Sequence, residues 1–114
     1  MNLCFVYMTA GSAVEAAEIG RELVACRLAA CVNVLDGMRS FYWWQGRMEE
    51  GREAVLIAKT PEDRVKALIE KARALHSYDC PCIVSLPIAD GHQPFLDWIR
   101  AETATNRKPS APEA

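Results

Sequence analysis

Residues 39–60 read RSFYWWQGRMEEGREAVLIAKT. Arg39 to Trp44 reads as a strand, with Phe41 and Trp43 on one face and Tyr42 and Trp44 on the other. Gln45-Gly46 supplies the tight turn of a hairpin, and the Val55-Leu56-Ile57 run carries the return strand to Thr60. Between them, Glu49-Glu50-Gly51-Arg52 is polar on both faces. A return strand continuous from Arg47 to Thr60 has fourteen residues, which at ~3.3 Å each span roughly 46 Å. A compact chain of 114 residues has a diameter of about 34 Å, so the hairpin must overhang its own domain. An overhanging ribbon leaves strand edges and four aromatic rings in water, and pairing with another copy of the chain covers both. A bulge at Gly51 that folds the ribbon back on itself is the alternative.

Outward from the hairpin, Leu3 to Thr9 is a short apolar run closed by Ala10-Gly11, the pattern of a buried strand. Ser12-Ala13-Val14-Glu15 is a capping box that opens a helix. Ala16, Ile19, Leu23, Cys26 and Ala30 form its apolar stripe. Cys31 to Leu35 is a second strand, ended or bent at Asp36-Gly37. Past the hairpin, Thr60-Pro61-Glu62-Asp63 predicts a helix with Thr60 as N-cap and Pro61 in its first turn. Its buried stripe is Val65, Leu68, Ile69, Ala72 and Leu75. Pro81 stops that pattern, Ile83 to Ile88 reads as a central strand, and Pro94 to Ile99 opens a short closing helix. The order β-α-β-β-α-β plus a terminal helix is the α+β, ferredoxin-like plan, with helices on one face of an antiparallel sheet. We expect a single domain over 1–105 and a disordered tail over 106–114, where two prolines have no apolar partners.

Hydrophobic residues at 51% and charged residues at 25% match an ordinary globular chain and exclude disordered and collagen-like classes. Thirteen Lys and Arg against fifteen Asp and Glu leave no basic footprint for nucleic acid or a membrane surface. No apolar run approaches a membrane span, and Met1 to Ala10 lacks the charged start of a secretory signal. Five cysteines, an odd number, fit reduced thiols in the cytoplasm better than a disulfide framework. The RNA-recognition strand pattern, the Met-x-Cys-x-x-Cys loop of copper chaperones, nucleophile elbows and nucleotide loops are all missing, so no motif announces an enzyme.

Among candidate ligands, Cys4 and Cys26 fall on core positions, where a thiol acts as a small hydrophobe. Cys80 and Cys82 flank Pro81 a few residues after His76, and thiolate with imidazole suits Cu(I) or Zn²⁺. Two buried thiols are the plainer reading of the same Cys-Pro-Cys, and the two side chains can point to opposite sides of Pro81. His92, in a polar loop, reads as solvated. Lys59 ends a strand just before the free amides of a Pro-started helix, an arrangement that holds an anion, with a solvated lysine as the alternative.

Several segments together resemble the CutA family, the divalent-cation-tolerance proteins: Leu28-Ala29-Ala30-Cys31-Val32-Asn33, Ser40-x-Tyr42-x-Trp44-x-Gly46, Lys59-Thr60, His76-x-Tyr78-x-x-Pro81 and Trp98-Ile99. The likeness runs from about Cys4 to Glu102. It implies a ferredoxin-like subunit in a tight homotrimer like that of the PII signalling proteins, with long hairpins wrapping neighbours and clefts between subunits. Tyr42, Trp44, Tyr78 and Trp98 match positions that line or border that cleft, and Cys31 matches the family's cysteine. The expected function is a cytoplasmic, trimeric divalent-cation (copper) tolerance protein, not an enzyme. Cu(I)/Cu(II) or Zn²⁺ would be held by Cys31, His76, Cys80 and Cys82, with no organic cofactor. A PII-like sensor binding an anionic ligand at Lys59 in the intersubunit cleft is the alternative. Two departures stand out: the family usually reads Pro-Glu where this chain has Pro81-Cys82, and Tyr where Phe95 stands. The first exchanges a hard carboxylate for a soft thiol.

Overall fold

The computed structural model describes residues 2–104; the tail expected over 106–114 lies outside the described residues. The elements are β1 (Leu3–Ala10), α1 (Ala13–Ala25), β2 (Cys31–Trp44), β3 (Arg47–Pro61), α2 (Val65–Leu75, after one 3-10 turn at Glu62–Arg64), β4 (Ile83–Pro87) and α3 (Gln93–Glu102). The four strands make one antiparallel sheet in the order β2-β3-β1-β4, the ferredoxin-like arrangement expected.

Strand alternation sorts the side chains. Val6, Met8 and Ala10 of β1 and Ala54, Leu56 and Ala58 of β3 face the helices and are fully buried with Ala16, Ile19 and Leu23 of α1 and Leu68 and Ala72 of α2. Small residues on both sides let the helices come close. At Gly20 an added Cβ would sit 2.7 Å from Val32 Cγ1. On the face of the sheet opposite α1 and α2, Leu35, Val84 and Leu86 remain about half exposed at 57%, 48% and 50%. No helix among the described residues is long and apolar enough to cross a membrane.

β3 runs unbroken for fifteen residues, and the longest dimension of the chain is 47 Å. Gly51 stands in register opposite Ser40, so no bulge folds the ribbon back there. The irregularity lies between Leu35 and Met38, at Asp36-Gly37, with Gly37 at φ 78°. Gln45 and Gly46, both at positive φ, close the tip in the turn type that suits a two-residue hairpin.

Three local expectations are corrected. Thr60 is not a helix cap: it lies in β3, paired with Cys4, and its buried hydroxyl donates to the Leu28 carbonyl at 2.7 Å. The ladder continues through Pro61, so α2 begins later, at Val65. Ala30 is not on the α1 stripe, because the chain leaves the helix at Cys26 and turns at Arg27 (φ 62°), which buries Ala29 instead. β4 is an edge strand and not a central one.

Candidate functional site

α2 ends at Leu75, and the segment that follows is pinned to the sheet by side chains from three elements. The His76 side chain is fully buried. Its Nε2 donates to the Thr9 carbonyl at 2.7 Å, and its Nδ1 accepts the Tyr78 N–H at 3.0 Å. Glu15 accepts the Ser77 N–H at 2.8 Å and the Gly11 N–H at 3.3 Å. The second bond is a displaced capping box, while the Ser12 hydroxyl caps α1 through the Glu15 N–H at 3.1 Å. Burial pushes the Glu15 carboxyl up, but the Ser77 and Gly11 hydrogen bonds and the His76 ring outweigh it and hold the group below its ordinary value. The Cys82 carbonyl accepts the Thr9 N–H at 3.2 Å, which fixes the far end of the segment against β1.

Tyr78 packs against His76 with ring centroids 4.7 Å apart and reaches across to the hairpin. Its hydroxyl donates to Glu53 Oε2 at 2.9 Å, and Glu53 Oε1 accepts the Ser40 hydroxyl at 2.6 Å. Burial and then the Glu53 hydrogen bond and charge push the Tyr78 phenol up to about 12, so it stays a neutral donor over the physiological range.

Between the segment and the ribbon lies a cavity of about 610 Å³. Met38, Ser40, Phe41, Tyr42 and Trp44 line it from β2, Glu53 from β3, Tyr7 and Thr9 from β1, and Tyr78, Asp79, Cys80 and Cys82 from the segment. Glu53 and Asp79 are its charged groups, and neither Lys, Arg nor His lines it. Cys80 and Cys82 are free and exposed.

Five of the nine expected site residues therefore meet here: Tyr42, Trp44, Tyr78, Cys80 and Cys82. The other four do not. Cys31 pairs with Lys59, which pairs with Phe5. Cys31 thus lies three strand spacings, about 14 Å, across the sheet from the β4 side and about 13 Å along it from Thr9. His76 does not offer a metal ligand as placed, because backbone groups already engage both ring nitrogens. Among the described residues no three His, Cys, Asp or Glu groups gather to hold a metal, so one copy of the chain does not assemble the four-ligand set. Lys59 lies on the face of the sheet opposite the helices, where its Nζ donates to Asn33 Oδ1. The Glu62 amide at the helix approach donates to the Asn2 carbonyl, so the lysine and the amides do not form the expected anion site. Trp98 stacks on Phe95 within α3 at 5.7 Å, away from the cavity.

The residues that sequence reasoning missed are the acids. Glu53 carried a legible signal: counting back by twos from Ile57 and Val55 puts a carboxylate next to them on the same strand face. Glu15 was legible only as a cap, since its bond to Ser77 bridges 62 positions of the chain.

The family model of the CutA1 divalent ion tolerance protein matches residues 4–102. The chain belongs to the CutA family. A CutA divalent-cation tolerance protein of Thermus thermophilus is 45% identical over 98 residues, covering 86% of this chain and 95% of the relative. One from Archaeoglobus fulgidus is 42% identical over 95 residues, covering 83% and 92%. The solved Archaeoglobus fulgidus structure, described as a periplasmic divalent cation tolerance protein, aligns with a TM-score of 0.86 at 40% identity over 89% of this chain and 98% of that one. At this similarity the two chains share one fold.

Proposed function

We propose that this CutA protein acts in divalent-cation tolerance as a cytoplasmic homotrimer that binds copper, and is not an enzyme. The observation that carries the reading is the thiol pair: Cys80 and Cys82 are both free and exposed, and both line the cleft on a segment fastened by His76, Glu15 and Thr9. Thiolates select Cu(I), and secondarily Zn²⁺, over Mg²⁺ or Ca²⁺. Cys31 can join them only from a neighbouring copy, given its distance within one chain. The 47 Å extent and the half-exposed Leu35, Val84 and Leu86 on the face opposite α1 and α2 support association into a trimer, which would cover both. Free thiols at all five cysteines support a reducing compartment. Binding fits the cleft better than catalysis, because its Ser40 and Tyr78 hydroxyls are engaged in donating to Glu53 and so tie its two walls together.

Competition for Cu(I) against a chromophoric chelator tests the metal site. A Cys80→Ser, Cys82→Ser double variant should lose at least tenfold in affinity, and occupancy of the unaltered protein should fall with pH as the ligands take up protons. Unchanged affinity in the double variant would remove the thiols from the site. Light scattering tests the assembly: the expected mass is three times the 12.7 kDa of one chain, and a monomer would refute the trimer.

A further inference from the structure

We propose that the cleft binds an organic ammonium ion, with its alkylated nitrogen among the Tyr42, Trp44 and Tyr78 rings and the Glu53 carboxylate as counter-charge. The charge of the wall points this way first. Two carboxylates and no basic side chain line the cavity. Arg39 is committed to Glu50 on the ribbon, and Arg47, opposite Trp44 at the tip, does not line the cleft. Glu53 has no ion-pair partner among the described residues. Each of its oxygens accepts one neutral hydroxyl, which leaves lone pairs for a cation.

The rings supply the other half. Tyr42 and Trp44 are alternate residues on one face of β2 and stand on one side, and Tyr78 stands on the other. Gly51 gives Tyr42 its place: a Cβ there would already lie 3.6 Å from the Tyr42 hydroxyl, and a longer side chain would compete with the ring. Aromatic faces attract cations, above all alkylated ammonium groups, which shed water easily. A bare hard cation wants six or more oxygens, and this wall offers two carboxylates. An anion meets like charge. At about 610 Å³ the volume suits a small organic molecule.

The inference does not depend on the copper reading, since it uses the rings and Glu53 and not the thiols. Choline is the probe, titrated into the full chain in chelator-containing, metal-free buffer and followed by calorimetry and tryptophan fluorescence. The expected result is saturable binding, with the uncharged isostere that replaces the quaternary nitrogen by carbon weaker by about tenfold. Trp44→Ala and Glu53→Gln should each weaken choline by about tenfold, and Trp43→Ala, on the other face of the ribbon, should leave it unchanged. Trp44 is 58% exposed in one chain, so its removal does not threaten the subunit fold, and light scattering of the variant checks that its mass is unchanged. Absence of saturable binding, equal affinity for the isostere, or indifference to both Trp44→Ala and Glu53→Gln would overturn the proposal. Copper competition reads the thiols separately, so either site can fail while the other stands.

Discussion

Gly20→Ala sets two known effects against each other at one position. In a helix interior alanine is favoured over glycine by about 1 kcal/mol. Here the added methyl would lie 2.7 Å from Val32 Cγ1, 3.4 Å from Val32 Cβ and 3.4 Å from Leu56 Cδ1. Rotation of Val32 gives little relief, because its branch point is itself close and β-branched side chains are stiff at χ1. α1 must therefore shift off the sheet, and overpacking of this kind costs about 1–3 kcal/mol. The steric effect wins, and we expect a net loss of about 1 kcal/mol, which lowers Tm by roughly 4–8 °C in a domain of this size. Urea unfolding at fixed protein concentration measures it, which holds any contribution from association constant. The same substitution placed in a Val32→Ala background should reverse sign and stabilise by up to about 1 kcal/mol, because the 2.7 Å contact with Cγ1 is gone and the remaining neighbours, at 3.4 Å, stand close to ordinary van der Waals distance. A stable Gly20→Ala protein, or a loss of the same size in both backgrounds, would refute the packing argument.

Gln45 adopts φ 52° before Gly46 at 79°, a conformation that asparagine tolerates better than glutamine. Gln45→Asn should therefore raise stability by about 0.5 kcal/mol, read as a higher Tm, and a lower Tm would contradict the turn assignment. Glu15→Gln should cost roughly 1–2 kcal/mol at neutral pH through its weakened bonds to Ser77 and Gly11. The Glu15 carboxyl is held below its unfolded value of 4.5, so its contribution is present above that pH and is lost as pH falls through the folded value. The stability curves of the two proteins should converge in acid, and curves parallel from neutral to acid pH would show that the carboxylate is not the source.

The sequence made the fold legible wherever the governing interaction is local. Alternation and the Gln45-Gly46 turn foretold the hairpin and its overhang, and the Ser12 cap foretold α1. Prediction failed where a distant strand decided the matter. Thr60-Pro61 has the composition of a helix start, yet pairing with Leu3 and Cys4 keeps both residues in β3. Lys59 stands next to that start in the chain, but the parity of the strand turns its side chain to the opposite face. His76 precedes Cys80 by four residues and looks like a ligand partner. Its ring nitrogens are claimed by Thr9, 67 positions away, and by Tyr78, which local spacing cannot weigh. Tyr42, Trp44, Tyr78 and the two cysteines converge because the ribbon and the segment after α2 meet across β1, a tertiary fact. Of the four aromatic residues named from the motif resemblance, Tyr42, Trp44 and Tyr78 meet at that cleft and Trp98 does not, while Phe41 and Glu53, which ties the two walls together, lay outside the resemblance.

The irregularity at Asp36-Gly37 works as a vernier between two rulers. Leu35 pairs with Val55 and Met38 with Glu53, so β2 advances three positions while β3 advances two. The lower ladder takes its register from the core and the upper one from the two-residue tip. If the ladder ran straight at the same chain length, Trp43 would face Arg47, three residues would close the tip, and Trp43 would turn toward the cleft side of the sheet while Tyr42 and Trp44 turned away from it. The ribbon thus stores two alternative aromatic faces in one stretch of chain. Gly37 below and Gly46 above, both in the left-handed region, are the detents that select which face is shown.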